Sequence, residues 1–203
     1  MATTEGDRPK RAYVPKEEAR ARLIDSALEL LHSKPFAQVT TREIAEGAGL
    51  NPLAIQTAFD GQMDLYAAVA DTLLDRVAMT LSELDINDRG DLASIFHPDL
   101  ILRSRLVAWL IGQGSDPSTF AISPERSSFA VLTERQRALG ANEDVARVFA
   151  SMIGYLMAGF SIFSETRMDP PEDLALAIEM MAWFRSRLPE FSDEIAAKSD
   201  HVD

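Results

Sequence analysis

The stretch from Val39 to Leu65, VTTREIAEGAGLNPLAIQTAFDGQMDL, decides the fold. It opens with Thr40 and Glu43, three residues apart, which is the spacing of a capping box at a helix N-terminus. In such a box the threonine hydroxyl accepts from an amide of the first turn, and the glutamate accepts from the threonine amide. Gly49 follows, where a backbone with positive φ turns the chain without a steric penalty. These residues predict a short helix followed by a tight turn.

A second short helix is predicted directly after that turn. Asn51 is a favoured N-cap, and Pro52 suits the first helical position because its φ is already fixed near the helical value. Leu50, Ile55 and Phe59 are expected to face inward, and the Asp-Gly pair after Phe59 ends the helix. Two short helices joined by a glycine turn are typical of a helix-turn-helix motif.

The flanking sequence also has helical spacing. Apolar residues recur every three to four positions from Pro15 to Ser33 and again over a long stretch from Gln62 to Leu84. Prolines separate further predicted helices near 92–96, 99–112, 124–139, 142–166 and 171–188. Because no segment alternates with a period of two, we predict an all-α fold.

We predict two domains with a polar segment at each end. Residues 15–61 form a three-helix domain around the motif, and residues 62–191 form a larger helical domain. Residues 1–14 are polar and aperiodic, which predicts a disordered arm, and residues 192–203 are predicted to be a frayed tail.

Composition and charge narrow the function classes. The chain has 203 residues, is 46% hydrophobic and contains no Cys, so disulfides and thiolate metal sites are excluded. Its net charge is −12, but residues 1–65 carry 8 basic and 10 acidic groups and residues 66–203 carry 12 and 22. Residues 8–22 carry 6 basic groups against 2 acidic ones. A basic arm on an acidic body is compatible with DNA binding by one end only.

The apolar segments of the sequence are too short for a membrane protein. The longest uncharged run, 148–164, is shorter than the roughly 20 residues that a membrane span needs, so we predict a buried helix of a soluble protein. The charged N-terminus lacks the apolar core of a signal peptide. Together with the absence of Cys, these features favour a cytoplasmic location and no membrane partner.

The motif predicts a surface that contacts double-stranded DNA. A helix-turn-helix places its second helix in the major groove, where base edges differ between base pairs, and its first helix across the backbone. The candidate DNA-binding residues are Thr41, Arg42, Asn51, Pro52, Leu53, Ala54, Gln56, Thr57 and Gln62.

Residues 23–65 resemble the N-terminal domain of TetR-family transcriptional regulators. The matching positions are Ala27, Leu31, Val39, Thr40, Thr41, Ile44, Ala45, Ala48, Gly49, Leu50, Ile55, Phe59 and Leu65. The resemblance implies an all-helical homodimer whose N-terminal domains bind a palindromic operator. It also implies that the larger domains bind a small effector that lowers the affinity for DNA.

The sequence departs from the family pattern on the predicted DNA face. The family usually has Tyr at Gln56, an aromatic residue or His at Ala58, Lys at Gln62 and Thr at Ala54. Loss of the Tyr and Lys phosphate anchors predicts weaker DNA binding, because phosphate contacts supply much of the affinity. The alternative is that the basic arm compensates for this loss through Arg8, Lys10, Arg11 and Lys16.

Two C-terminal helices carry the dimer prediction. The segment Val148–Phe163 is apolar nearly all round, and Asp173–Leu188 has an apolar stripe. Two such helices from each subunit would form a four-helix bundle, whereas the alternative is that both close the core of a single subunit.

An effector site is predicted in the same domain. Its candidate lining residues are Phe96, Trp109, Phe129, Phe149, Met152 and Tyr155. Such residues suit a small apolar or weakly polar effector, although each is also an ordinary core residue type. Arg103 and Arg105 are expected to be surface charges.

No sequence pattern indicates catalysis. The three His residues lie in unrelated contexts, and no Gly-rich phosphate loop or nucleophile elbow occurs. We therefore predict a protein that is not an enzyme and has no cofactor or metal. The favoured function is a ligand-responsive repressor. The alternative is a dimeric helical small-molecule-binding protein of the same fold that has lost sequence-specific DNA binding.

Overall fold

The computed structural model describes residues 14–83, 97–122, 127–163 and 171–199. Within these ranges it contains nine α-helices, two short 3-10 helices and no β-strand, which confirms the all-α prediction. The helices are α1 (Lys16–Ser33), α2 (Thr41–Gly47), α3 (Leu53–Phe59), α4 (Gln62–Glu83), α5 (Pro98–Gly112), α6 (Ser127–Ala138), α7 (Glu143–Phe163), α8 (Pro171–Ser186) and α9 (Leu188–Ser199). The chain divides into two compact units, Met1–Leu65 and Tyr66–Asp203.

The first unit is built on α1, which packs against both α2 and α3. Leu23, Ala27 and Leu31 recur at helical spacing on α1 and are buried. They meet Ile44 of α2 and Ile55 of α3 in the same core, which also holds further buried residues: Leu28, Val39, Ala45, Ala48, Ala58 and Phe59. The helix ends at Ser33 because Pro35 disfavours helical backbone at the residue before it.

Helix α1 lies in close contact with α2 at Ser26. The Ser26 hydroxyl is buried and donates to the Ile44 carbonyl at 2.8 Å. A Cβ added at Gly47 would overlap the Ser26 Oγ atom. The glycine therefore allows α2 to lie directly against the serine of α1.

The second unit is organised around α7, which packs against α5, α6 and α9. Phe149, Ile153 and Met157 point from α7 into a core that Leu188 of α9 completes. Part of α4 also belongs to this unit, and its buried residues are Tyr66, Val69, Ala70, Leu73, Leu74, Val77 and Ala78. The apolar residues on the inner side of α7 thus form part of the core.

The C-terminus corrects one prediction. Residues 192–199 are not a frayed tail but part of α9, which begins at Leu188. Ser192 anchors this helix: its buried hydroxyl donates to the Leu188 carbonyl at 2.8 Å and accepts from the Asn142 amide at 3.0 Å. The predicted helix near 92–96 lies outside the described residues.

Candidate functional site

The start of α2 has the geometry that the sequence predicts. The Thr40 hydroxyl accepts from the Glu43 amide at 3.2 Å, and Glu43 Oε2 accepts from the Thr40 amide at 3.0 Å. After α2 the chain turns at Gly49, whose φ is +68°, and the Leu50 amide donates to the Ala45 carbonyl at 2.8 Å. The capping box and the positive-φ turn are both confirmed.

Helix α3 presents one face to the core and the opposite face to solvent. Asn51 Oδ1 accepts from the Ala54 amide at 3.1 Å and caps the helix, while Ile55 is buried. Leu53 is 70% exposed, although it is a large apolar residue. The other members of the exposed face are Asn51, Pro52, Gln56 and Thr57, with Ala54 half-buried. This face of α3 is therefore open to solvent.

Ala58 corrects the view that every departure from the family pattern lies on the exposed face. It is buried on α3, beside the buried Phe59. Arg20 of α1 donates from Nη1 to the Ala58 carbonyl at 2.5 Å, and its guanidinium lies 4.1 Å from the Phe59 ring centroid. Arg20 therefore positions the end of α3, a role with no signature in the local sequence.

The amide groups expected to contact DNA already have partners within this unit. Gln56 Nε2 donates to the Asp60 carbonyl at 2.8 Å. Gln62 Nε2 donates to the Val39 carbonyl at 2.8 Å and is partly buried. Gln62 thus joins the start of α4 to the segment before α2. The family pattern has a phosphate-binding Lys at the position of Gln62.

Ion pairs reduce the positive potential of this surface. Arg42 Nε lies 2.8 Å from Glu46 Oε1, and both side chains are exposed. The hydrogen bond and charge of Glu46 raise the pKa of Arg42. Lys34 Nζ lies 2.6 Å from Glu43, and the hydrogen bonds from Lys34 and Thr40 lower the pKa of Glu43 to about 2. A phosphate would have to compete with Glu46 for the Arg42 guanidinium.

A groove of about 570 Å³ runs between the start of α1 and α3. Lys16 and Arg22 stand on the α1 side, where Arg22 pairs with Glu18. The remaining lining residues are Val14, Ala19, Gly49, Leu50, Asn51, Leu53, Ala54, Thr57 and Ala58. The groove therefore places two cationic side chains beside the exposed face of α3.

The second unit exposes a broad apolar surface on α7, α8 and α9, which we call the apolar face. One groove of about 550 Å³ is lined by Asn142, Asp144, Val145, Val148, Phe149, Met152, Phe184, Leu188, Phe191 and Ile195. A second groove of about 620 Å³ is lined by Phe149, Met152, Ile153, Leu156, Leu176, Glu179, Met180, Met181, Trp183 and Phe184. The rings of Phe149 and Phe184 lie 5.8 Å apart at the junction of the two grooves.

The apolar face corrects the prediction that the uncharged run is a buried helix. Trp183 on α8 is 63% exposed, and Val148, Met152 and Leu156 on α7 are also exposed. Among the described residues, α7 is the one helix long and apolar enough to cross a bilayer, and 39% of its most apolar window is buried. Such exposed apolar area marks an interaction surface.

A single site for the six predicted effector-binding residues stays a prediction, because the structure describes the side chains of four of them. Phe149 and Met152 line both grooves of the apolar face. Trp109 instead packs beside Tyr66, with ring centroids 5.9 Å apart, and Tyr155 is 80% exposed and outside both grooves. Phe96 and the side chain of Phe129 lie outside the described residues.

The arginines of α5 correct another prediction, since neither is an ordinary surface charge. Arg103 is only 7% exposed, and Nε of the half-buried Arg105 donates to the Ser161 carbonyl at 2.7 Å. The spacing of Arg103 with the buried Leu106 and Leu110 places all three on one stripe of the helix, which is the signal that predicts this burial. Within the described ranges, no group of three or more His, Cys, Asp or Glu side chains is arranged to hold a metal ion.

Comparison with known proteins agrees with this geometry. Residues 23–69 match the family model described as bacterial regulatory proteins, tetR family. No curated protein matches the chain. The solved structure of AlkX, a TetR-family repressor from Dietzia sp. implicated in n-alkane biodegradation, has a TM-score of 0.56 at 20% identity, over 91% of this chain and all of that chain.

Two other solved structures share the fold. BioQ with its natural double-stranded DNA operator has a TM-score of 0.55 at 19% identity, covering 86% of this chain and 99% of BioQ. A TetR variant from Acinetobacter baumannii in complex with minocycline has a TM-score of 0.51 at 20% identity, covering 87% of this chain and 96% of that chain.

The short helices α2 and α3, the turn at Gly49 and the exposed α3 face together define a helix-turn-helix domain. Residues 23–69 are similar to the N-terminal domain of the tetR family, and the chain shares the fold of AlkX, BioQ and the TetR variant.

Proposed function

We propose that the protein is a homodimeric, effector-responsive repressor that binds a palindromic operator through α2 and α3. Residues 15–61 act as the DNA-binding domain, and residues 62–191 bind the effector and the second subunit. The observation that carries the proposal is the exposed face of α3, where Leu53, Gln56 and Thr57 project away from a rigid three-helix core. The operator complex of BioQ, which shares the fold, supports this assignment.

The apolar face supports the homodimer. A twofold dimer places the same patch of both subunits in one interface, and the exposed apolar residues of α7 and α8 form a self-complementary candidate for that patch. Burying such residues between subunits gives roughly 25 cal/mol for each Å² removed from water. A dimer also presents two reading helices to half-sites roughly 34–36 Å apart, as a palindrome requires.

The effector response couples the two units. A small apolar effector bound in the second unit favours a dimer whose reading helices are wrongly spaced, so DNA is released. The continuous helix α4, Gln62–Glu83, carries the chain from one unit into the other. A coupling free energy of about 1–3 kcal/mol changes operator affinity by roughly 5- to 150-fold. The protein acts in the cytoplasm by binding DNA and an effector, and it catalyses no reaction.

The direct test is fluorescence anisotropy with DNA from upstream of the protein's own coding region. The proposal predicts saturable, sequence-selective binding at low salt, with an affinity that falls steeply as salt is raised. A scrambled duplex of the same length and composition is the control. Equal binding to both duplexes at every salt concentration contradicts the proposal.

A second candidate function is a dimeric small-molecule-binding protein that no longer reads DNA. The internal hydrogen bonds of Gln56 and Gln62 and the net charge of −12 favour it. The same titration separates the two candidates, because this second function predicts no duplex selectivity at any salt concentration.

A further inference from the structure

Helix α3 has an unusual reading surface for a protein that binds a polyanion. Its sequence, LAIQTAF, contains no charged residue. Its exposed face is led by Leu53, which is 70% exposed, and continues with the half-buried Ala54 and the exposed Thr57. Leu53 therefore offers an exposed apolar contact to a partner that docks on this face.

Several polar atoms of this face bond to the backbone of the same unit. The Thr57 hydroxyl donates to the Leu53 carbonyl at 3.0 Å, and Asn51 Oδ1 accepts from the Ala54 amide. Because its hydroxyl hydrogen is donated to the backbone, Thr57 can offer a base edge its methyl group and a hydroxyl oxygen that only accepts. Leu53, Ala54 and Thr57 therefore present a set of aliphatic groups.

The chemistry of the major groove selects a partner for such a set. Guanine is read chiefly by the paired donors of Arg or Lys, and α3 has neither. The thymine C5-methyl is the apolar group that the major groove displays, and it contacts aliphatic side chains. An A·T pair consequently fits this surface better than a G·C pair.

We propose that Leu53, Ala54 and Thr57 recognise thymine C5-methyl groups, so that each half-site presents A·T pairs to α3. This inference rests on the proposed DNA-binding function and specifies its substrate. Lys16 and Arg22, beside the groove along α3, hold the flanking phosphates. Those phosphate contacts set affinity, whereas the methyl groups set the sequence.

The test begins with selection of duplexes from a randomised library by the full chain. Each thymine of the selected duplex is then replaced by uracil, which removes only the C5-methyl group. We expect A·T-rich half-sites and an affinity loss of about fourfold for each contacted methyl, the fold-change that corresponds to one buried methylene. Replacement outside the half-sites serves as the DNA control.

Protein variants test whether α3 causes the affinity difference between thymine and uracil duplexes. Leu53→Ala should weaken binding to the thymine duplex and abolish the difference between thymine and uracil at the position that Leu53 contacts. Met79→Ala, which truncates a side chain of similar exposure (66%) on α4, should leave that difference unchanged. Equal thermal melting of the variants and the original chain checks that the fold is intact.

The possible failures are distinguishable. Selection of specific duplexes with no uracil effect, or with an equal uracil effect in Leu53→Ala, overturns the methyl-recognition proposal and leaves the regulator function standing. G·C-rich half-sites aligned with α3 overturn it as well. Failure to enrich any duplex contradicts DNA binding itself.

Discussion

Replacement of Arg42 tests whether α2 contacts the DNA backbone. Arg42 is exposed near the N-terminus of α2 and lies 2.8 Å from Glu46, so a phosphate can exchange with that carboxylate without any change in the core. Each phosphate contact contributes about 0.9 to the slope of log affinity against log salt. Arg42→Ala in a dimer removes two contacts and lowers the slope by about 1.8.

That slope difference has a measurable size. Between 50 and 200 mM salt the original chain should lose about twelvefold more affinity than Arg42→Ala, because salt rises fourfold over this range. The loss should be similar for all duplexes, since a phosphate contact carries no base information. Anisotropy titrations of a selected duplex at four salt concentrations measure the slope.

Two further variants make the result specific. Glu46→Gln should strengthen binding, because it removes both the competing partner of Arg42 and a negative charge near the phosphates. Arg147→Ala removes an arginine with a similar exposed ion pair to Asp144 in the second unit, and it should leave the slope unchanged. An unchanged slope in Arg42→Ala, or weaker binding in Glu46→Gln, refutes the backbone contact.

Other variants test the fold and the assembly. Glu43→Gln should lower the free energy of unfolding at pH 7 and make that free energy fall less in acid. The folded pKa of Glu43, about 2, lies below the unfolded value, so the carboxylate stabilises the fold above pH 4.5 and this contribution is lost towards pH 2. Urea unfolding at several pH values measures the difference. Gly47→Ala should destabilise the fold by about 1–2 kcal/mol, because the new methyl displaces the buried Ser26 hydroxyl from the Ile44 carbonyl. The same change should become stabilising in a Ser26→Ala background, since alanine favours a helix more than glycine does. Additive effects of the two changes on the free energy of unfolding would contradict the overlap. Trp183→Glu should convert the dimer into monomers in size-exclusion chromatography with light scattering, whereas the exposed Met79→Glu should not, and an unchanged mass for Trp183→Glu contradicts the apolar face as the interface.

Local sequence chemistry accounts for most of the first unit. The capping box at Thr40, the positive φ at Gly49 and the Asn51 cap each depend on residues within a few positions, so the pattern predicts them directly. The continuation of α9 through residues 192–199 depends instead on a long-range bond between Ser192 and Asn142. No local pattern contains such tertiary information.

The same distinction holds for the candidate sites. The exposed face of α3 follows from helical periodicity, whereas the uncharged run of α7 predicts a buried helix and the structure leaves part of that helix exposed. Tertiary packing decides the rest: Ala58 is buried by α1, Gln62 is bonded to Val39, and Trp109 packs against Tyr66 rather than joining Phe149. The identity of a residue predicts its chemistry, but the neighbours that occupy its polar atoms are set by the fold.

The central claim is that two copies of the chain place their α3 helices in successive major grooves of one duplex. Hydroxyl-radical footprinting of a library-selected duplex, combined with native mass spectrometry of the same complex, measures this most directly. We expect two chains per minimal duplex and two symmetric protected regions whose centres are about one helical turn, roughly 34–36 Å, apart on one side of the DNA. A single asymmetric protected region, or one chain per duplex, contradicts it.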